Sequence, residues 1–297
     1  MNGLIVIDKP EGKTSFDVVA EVRRRLKLKK AGHTGTLDPM ATGVLPVCLG
    51  EATRLAPFIL EGDKTYEATL LLGAATDSQD RTGKIIARAE VPALCRADIE
   101  KALQRFRGEI DQTPPMFSAV RVDGRHLYEL AREGKEVERQ TRRVTVHDFE
   151  LVELASPRLR LKIRCSKGTY VRTLGHDLGE ALGCHAHLTA LRRTESGGFT
   201  LDQSVRLDDL ARLSPVEVAS RVLTPSQALG FLPAIEIPSE LVTRLVQGQR
   251  LPIAALKIDP GPDGQRARLL SQEGGLLAVA EWNGGGLQYL RVLARAG

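Results

Sequence analysis

Cysteine is sparse in this chain of 297 residues: there are four, Cys48, Cys95, Cys165 and Cys184, and no two form a Cys-x-x-Cys pair. That spacing offers neither a disulfide framework nor a thiolate clamp for zinc. The run Cys184-His185-Ala186-His187 crowds its donors into one short segment, where they cannot easily surround one ion, so no metal site is expected. The thiols are expected to be reduced, in a cytoplasmic protein. No stretch approaches the roughly 20 apolar residues that cross a bilayer. The opening Met1-Asn2-Gly3-Leu4-Ile5-Val6-Ile7-Asp8 lacks the basic region and cleavage site of a secretory signal and reads as a first strand. Short-period repeats and low-complexity tracts are missing too. With 42% hydrophobic and 27% charged residues, the chain reads as globular, with room for one large domain and a small one.

An excess of charge is nearly lacking as well. The net value of +5 leans toward an anionic partner without demanding one, so placement matters more. Arg23-Arg24-Arg25-Leu26-Lys27-Leu28-Lys29-Lys30 gathers six cations in one span. A helix end favours cations by itself. The position of this cluster, directly before the most informative segment of the chain, points to phosphate contact.

That segment is Gly32-His33-Thr34-Gly35-Thr36-Leu37-Asp38-Pro39-Met40-Ala41-Thr42-Gly43-Val44-Leu45. A single carboxylate, Asp38, stands among small and hydroxyl residues with no second acid nearby. Gly32 and Gly35 permit sharp bends and close approach to a ligand. Pro39 biases Asp38 toward an extended backbone, so the carboxylate projects from a defined loop. The run Gly43 to Leu49 reads as a buried strand anchoring it. A lone carboxylate on a braced loop beside a basic helix suits nucleophilic or acid–base chemistry on a polyanion. Asp-Pro also begins many ordinary turns, so the pair alone would not identify a site.

The surrounding pattern is mixed. Ser15 to Leu26 has a cap at Thr14 or Ser15 and apolar positions Val18, Val19, Val22 and Leu26, predicting a helix packed on one face. Lys64 to Leu72 places Tyr66, Ala68, Leu70 and Leu72 on one side, predicting a half-buried strand. Asp98 to Phe106 reads as helix, and Val144 to Leu154 and Leu159 to Cys165 as strands. Residues 112–143, rich in Pro, Gly and charge, form an excursion with a short helix at His126 to Arg132. A boundary falls between about 225 and 235. Beyond it a helix, Ser239 to Gln247, precedes strands at Arg266 to Leu270, Leu276 to Trp282 and Leu287 to Leu293, predicting a small β-rich domain.

A second constellation is Cys165-Ser166-Lys167-Gly168-Thr169-Tyr170-Val171-Arg172-Thr173-Leu174. Thr169 can cap a helix with a buried stripe of Tyr170, Leu174, Leu178 and Leu182. Lys167 then precedes the helix and Arg172 lies in its first turn, where cations oppose the helix dipole. Cations so placed call for an anion, either carboxylate or phosphate.

The Asp38 segment closely resembles the catalytic motif of the bacterial tRNA pseudouridine-55 synthases. Lys167-Gly168-Thr169-Tyr170-Val171-Arg172 matches that family's Lys-Gly-x-Tyr-x-Arg. Asp63-Lys64-Thr65-Tyr66 and Leu191-Arg192-Arg193 are further matches, in order, so the resemblance covers most of residues 3–200. Gln247-Gly248-Gln249-Arg250-Leu251 and the closing strands resemble a PUA-type RNA-binding domain. The resemblance implies an α+β fold: a mixed, mainly antiparallel sheet with flanking helices in a catalytic domain over 1–229, then a PUA-like domain over 230–297.

It also implies the chemistry: the N1–C1′ bond of uridine breaks, the base rotates, and C5 joins C1′, with no cofactor and no metal. Asp38 would be the essential carboxylate, acting on C1′ as a nucleophile or removing a ribose proton, and Arg172 would pair with it and aim it. Tyr66 would stack on the flipped uracil and assist loss of the C5 proton. Tyr170 and Leu191 would wall the pocket, and His33 and Lys167 would contact RNA. The partner would be tRNA, its T arm clamped by residues 112–143 and its acceptor end touched by the C-terminal domain. The protein would be a monomer without an obligatory protein partner. Two other classes stay open: a guide-RNA-directed pseudouridylase with protein partners, and a non-enzymatic RNA-binding module. An intact Asp38, Tyr66 and Arg172 speaks against the second.

Overall fold

The structure is a computed structural model, described over residues 1–256 and 258–293; residues 257 and 294–297 of the expected C-terminal domain lie outside the described residues. The chain opens with β1 (Gly3–Lys9), α1 (Ser15–Arg25), β2 (Ala31–His33), β3 (Thr42–Leu49), α2 (Ala56–Leu60) and β4 (Lys64–Leu72). A hairpin of β5 (Ala74–Thr76) and β6 (Ile85–Arg88), then α3 (Arg96–Gln104) and β7 (Gly108–Gln112), lead into a second hairpin, β8 (Arg121–Val122) and β9 (Arg125–His126), and α4 (Leu127–Arg132). Next come β10 (Arg142–Ala155), β11 (Arg158–Cys165), α5 (Val171–Ala181), β12 (Ala186–Ser196), β13 (Phe199–Thr200) and β14 (Val205–Arg206).

Among the described residues, the main sheet has ten strands with the path β14-β1-β3-β12-β4-β11-β10-β7; β2 joins on β3 and β13 on β12. Only β1–β14 and β3–β12 pair in parallel, so the sheet is mixed and mainly antiparallel, as expected. Alternation explains its central strand. On β4, Tyr66, Ala68, Leu70 and Leu72 are buried, while Glu67 is exposed.

Helices cover the apolar sides. Val18, Val19 and Val22 of α1 pack with Ile5, Ile7, Leu45, Val47 and Leu49 of β1 and β3. A capping box starts α1: Thr14 Oγ1 accepts from Asp17 N, and Asp17 accepts from Thr14 N. Leu174 and Leu178 of α5 share a core with β4, β11 and β12. Gly175 and Gly179 let α5 lie this close, since a Cβ there would stand 2.7 Å from Leu70 Cδ1 and 2.4 Å from Ala186 N.

Two local expectations need correction. Thr169 is not the cap of α5. Tyr170 occupies that position, and the Gln112 amide bonds its backbone from both sides, donating to Tyr170 O at 3.1 Å and accepting from Tyr170 N at 2.7 Å. Thr169 Oγ1 donates instead to Ser166 O. Tyr170 and Leu182, at the ends of the predicted stripe, are half-buried. Helix α3 starts two residues earlier than the apolar pattern suggests, because Asp98 reaches back to accept from Cys95 N.

After α6 (Pro215–Arg221), α7 (Pro225–Ala228), β15 (Ala234–Glu236) and α8 (Ser239–Val246), three strands complete a second sheet: β16 (Arg266–Leu270), β17 (Leu276–Asn283) and β18 (Gly286–Val292), in the order β15-β16-β17-β18. Trp282, Leu245 and Leu269 belong to its own core. This unit does not stand apart. Val279 of β17 is buried with Leu4, Val6, Val44 and Leu229, and the Arg268 guanidinium donates to Leu232 O and Ser226 O.

Candidate active site

The Asp38 segment forms a loop between β2 and β3 whose backbone is held at nearly every step. Leu37 N donates to Ser15 Oγ, which in turn donates to Leu37 O, tying the loop to the start of α1. Gly12 N and Lys9 Nζ donate to Pro39 O, and Thr34 N donates to Pro46 O. Arg193, on β12, spreads its guanidinium beneath the loop: Nη2 donates to Gly35 O at 3.1 Å, Nη1 to Thr36 O at 3.3 Å and Nε to Val44 O at 2.8 Å. Leu37 and Met40 are sunk in the core on either side of Asp38. The carboxylate between them is 34% exposed.

Arg172, in the first turn of α5, meets it. Nε lies 2.8 Å from Asp38 Oδ2, and Nη2 donates to Asp38 Oδ1 at 3.3 Å, a two-point grip that fixes direction as well as distance. The guanidinium is itself positioned, with Nη1 donating to Ser78 O and Nη2 to Phe117 O, both at 2.8 Å. Asp80 Oδ2 stands 3.9 Å from Nε, and Asp80 is held by Ser78 Oγ, Thr82 N and Thr82 Oγ1. The anion that the unfavourable helix position of Arg172 calls for is thus a carboxylate 134 residues away in sequence.

The other predicted residues are placed as follows. Tyr66 and Leu191 are buried in one cluster with Leu37, Met40 and Val171, on the Asp38 side of the sheet. Burial pushes the Tyr66 phenol above its ordinary pKa, with Arg193 acting in the opposite sense. His33, on β2, accepts from Gly35 N through Nδ1; burial, then the Arg193 charge, lower its pKa. Tyr170 adjoins Arg172 on the half-buried turn into α5. Lys167 stands differently: it is exposed on that turn and pairs with Glu61 at 2.5 Å, not with Asp38.

Several neighbours carry no sequence expectation. Arg193 and Lys9 are sealed from solvent at 1% and 0%. Burial pushes the Lys9 ammonium down to about 8, opposed in part by the Asp38 charge. Arg193 leaves a trace in sequence, since strand alternation puts it on the same inward side as Leu191, where an arginine is unusual. Asp80, Ser15 and Gln112 leave none. Among the described residues, no three His, Cys, Asp or Glu side chains come together to hold a metal ion, and no helix is long and apolar enough to cross a membrane.

The site joins one oriented carboxylate, a buried arginine, an aromatic ring and apolar walls: groups suited to attack on, or proton removal from, a sugar beside a flat base. Comparison with known proteins agrees. Residues 23–171 match the model of the TruB family pseudouridylate synthase N-terminal domain, and residues 172–227 that of the tRNA pseudouridylate synthase B C-terminal domain. A tRNA pseudouridine synthase B of Geobacter sulfurreducens is 47% identical over 95% of this chain and 93% of its own. The protein of the same name from Chromohalobacter salexigens is 49% identical over 85% of this chain and 82% of its own. Among solved structures, a chain of a Cbf5-Nop10-Gar1 complex superposes with a TM-score of 0.77 at 27% identity, over 99% of this chain and 85% of that one. The chain belongs to the TruB family of pseudouridylate synthases and is a pseudouridine synthase.

Proposed function

We propose that this enzyme isomerises the uridine at position 55 in the T loop of tRNA, with Asp38 as the catalytic carboxylate. The observation that carries the assignment of Asp38 is its geometry: a partly exposed carboxylate on a braced loop, gripped at two points by buried Arg172. The substrate is supported by relatives named for tRNA at 47% and 49% identity.

Asp38 acts at the ribose, either by bonding to C1′ or by taking the C2′ proton to leave a glycal. In both routes the N1–C1′ bond breaks, the uracil turns, and a C5–C1′ bond forms. The C5 proton is then lost and N1 gains one, and in the glycal route the proton taken from C2′ is returned to it as C5 bonds to C1′, so atoms balance with no added group. The target must first leave the RNA stack, at a cost of about a few kcal/mol. Tyr66 stacks on the extruded uracil and assists loss of the C5 proton, while Tyr170 and Leu191 wall the pocket against water. His33 contacts the RNA near the vacated position. Lys167, on the rim, reaches a phosphate by exchanging its exposed Glu61 partner, an exchange of small cost for a surface pair. The catalytic domain comprises residues 1–229, with 112–143 closing on the T arm, and residues 230–297 meet the acceptor end. The protein works as a cytoplasmic monomer.

Purified protein incubated with an unmodified tRNA transcript, with no other macromolecule, should release the C5 hydrogen of one uridine and place pseudouridine at position 55. Asp38→Asn should bind the transcript and release nothing. Modification at another position, or normal release by Asp38→Asn, would contradict the reading.

A further inference from the structure

Helix α1 leads away from the catalytic loop, and its outer side carries two features that its packing does not require. Val18, Val19 and Val22 are buried, so Phe16, Arg23 and Arg24 fall on the opposite, outer side, and Lys27, just past the end of the helix, is exposed as well. Phe16 is 73% exposed, although burying such a ring is worth roughly 1.5–3 kcal/mol. It follows Ser15, whose hydroxyl holds both backbone groups of Leu37, so it stands at the end of the helix that touches the Asp38 loop. At the far end, Arg23, Arg24 and Lys27 are exposed and form no ion pair among the described residues; Arg25 is the one that pairs with Glu21. The helix dipole accounts for cations there. It does not account for an unburied phenylalanine one helix length away on the same outer side.

We propose that the outer side of α1 is an RNA-docking surface in which Phe16 stacks on an unpaired base beside the target uridine while Arg23, Arg24 and Lys27 hold phosphates farther along the strand. The charge distribution sets the polarity. The Phe16 end carries the exposed acid Asp17, which repels phosphate but tolerates the face of a base, with Glu11 paired to Arg81 and Lys13 to Glu21, whereas the far end exposes Arg23, Arg24 and Lys27. The span from residue 16 to residue 24 is roughly 12 Å at 1.5 Å per residue, enough to engage a nucleotide next to the active site and phosphates beyond it. A base stacked on an exposed ring is the usual way a single-stranded segment is held without sequence readout. The proposal rests on the tRNA reading and adds to it a surface outside the pocket.

The test uses an unmodified T-arm hairpin and measures affinity separately from turnover. Phe16→Ala should raise Kd and KM by about 5- to 50-fold, the lower part of the range set by stacking energies of ~1–3 kcal/mol per base, and Phe16→Trp should restore both. The salt dependence of binding should be unchanged in Phe16→Ala, and should flatten by about two to three units of slope when Arg23, Arg24 and Lys27 are all changed to Gln. An unchanged melting temperature for Phe16→Ala separates a lost contact from a damaged fold. Equal affinity of wild type and Phe16→Ala, or failure of Phe16→Trp to restore it, overturns the proposal. Tight hairpin binding by the wild type without turnover would count against the tRNA reading alone, because the affinity comparison still reports on Phe16.

Discussion

Breaking the Asp38–Arg172 pair from each side, and then from both, gives the sharpest test of how this site is built. Arg172→Met removes a buried guanidinium that serves Asp38, Ser78 O and Phe117 O at once. Removing one partner of a buried pair costs about 3–5 kcal/mol, and the lower end applies because Asp38 is one-third exposed and can turn to water. Two unit charges about 4 Å apart attract by about 4 kcal/mol at an effective dielectric of 20. Hydration of the exposed carboxylate cuts that by more than half, giving a coupling of about 1–2 kcal/mol. Asp38→Asn should cost about 1 kcal/mol, and Asp38→Asn with Arg172→Met should be more stable than the two single losses added together. Denaturant unfolding at 25 °C measures all four proteins. In turnover, Arg172→Met should fall at least 10²-fold, in line with the cost of misplacing a reacting group by about 1 Å. Arg172→Lys, which keeps the charge but loses the two-point grip, should lie between. A coupling below about 0.3 kcal/mol, the limit for independent sites, or wild-type turnover in Arg172→Met, would refute the claim that the arginine aims the carboxylate.

Three further outcomes are expected. Arg193→Met should leave the carbonyls of Gly35, Thr36 and Val44 without their donor, lowering stability by about 3 kcal/mol at roughly 1 kcal/mol per group, and turnover should fall more than RNA affinity because the loop carrying Asp38 loosens. Equal losses in both would mean a general structural role. For Lys9, burial sets the folded pKa at about 8 against 10.5 unfolded, so between those values the unfolded state binds more protons and the stability contribution of this group rises with pH. The stability difference between wild type and Lys9→Met should therefore shift in favour of wild type from pH 8 to 10.5, by up to about 3 kcal/mol at 1.36 kcal/mol per unit; pH-dependent unfolding that runs parallel in the two proteins would show that Lys9 is not sealed. Truncation after Leu229 should leave a folded enzyme active on a T-arm hairpin but less stable by about 2 kcal/mol, since Val279 is lost from the cluster around Leu4, Val6 and Val44; an unchanged melting curve would mean that the interface contributes nothing.

The sequence by itself determined several of the main elements and singled out Asp38 as the candidate acid. Alternation in Lys64 to Leu72, the capping residues before α1 and the glycine-punctuated Asp38 segment are local features, and local periodicity specifies them before any long-range contact forms. The Asp38 string and the Lys-Gly-x-Tyr-x-Arg string are both contiguous, so each could be recognised without knowing that they touch. The bracing of the loop depended on tertiary structure, because it comes from residues scattered through the chain. Ser15, Lys9 and Arg193 carry no local sign that they serve the Asp38 loop and converge on it only when β1, β3 and β12 align beneath α1, while Asp80 comes to flank Arg172. Packing likewise decided that Gln112, not Thr169, closes the start of α5, because an amide 58 residues away reaches both backbone groups of Tyr170 at once. A hydroxyl one residue before Tyr170 has a nearer acceptor in Ser166 O and takes it. Periodicity along a chain fixes which side of an element turns inward; the partner a polar group finds there depends on which distant element packs against it.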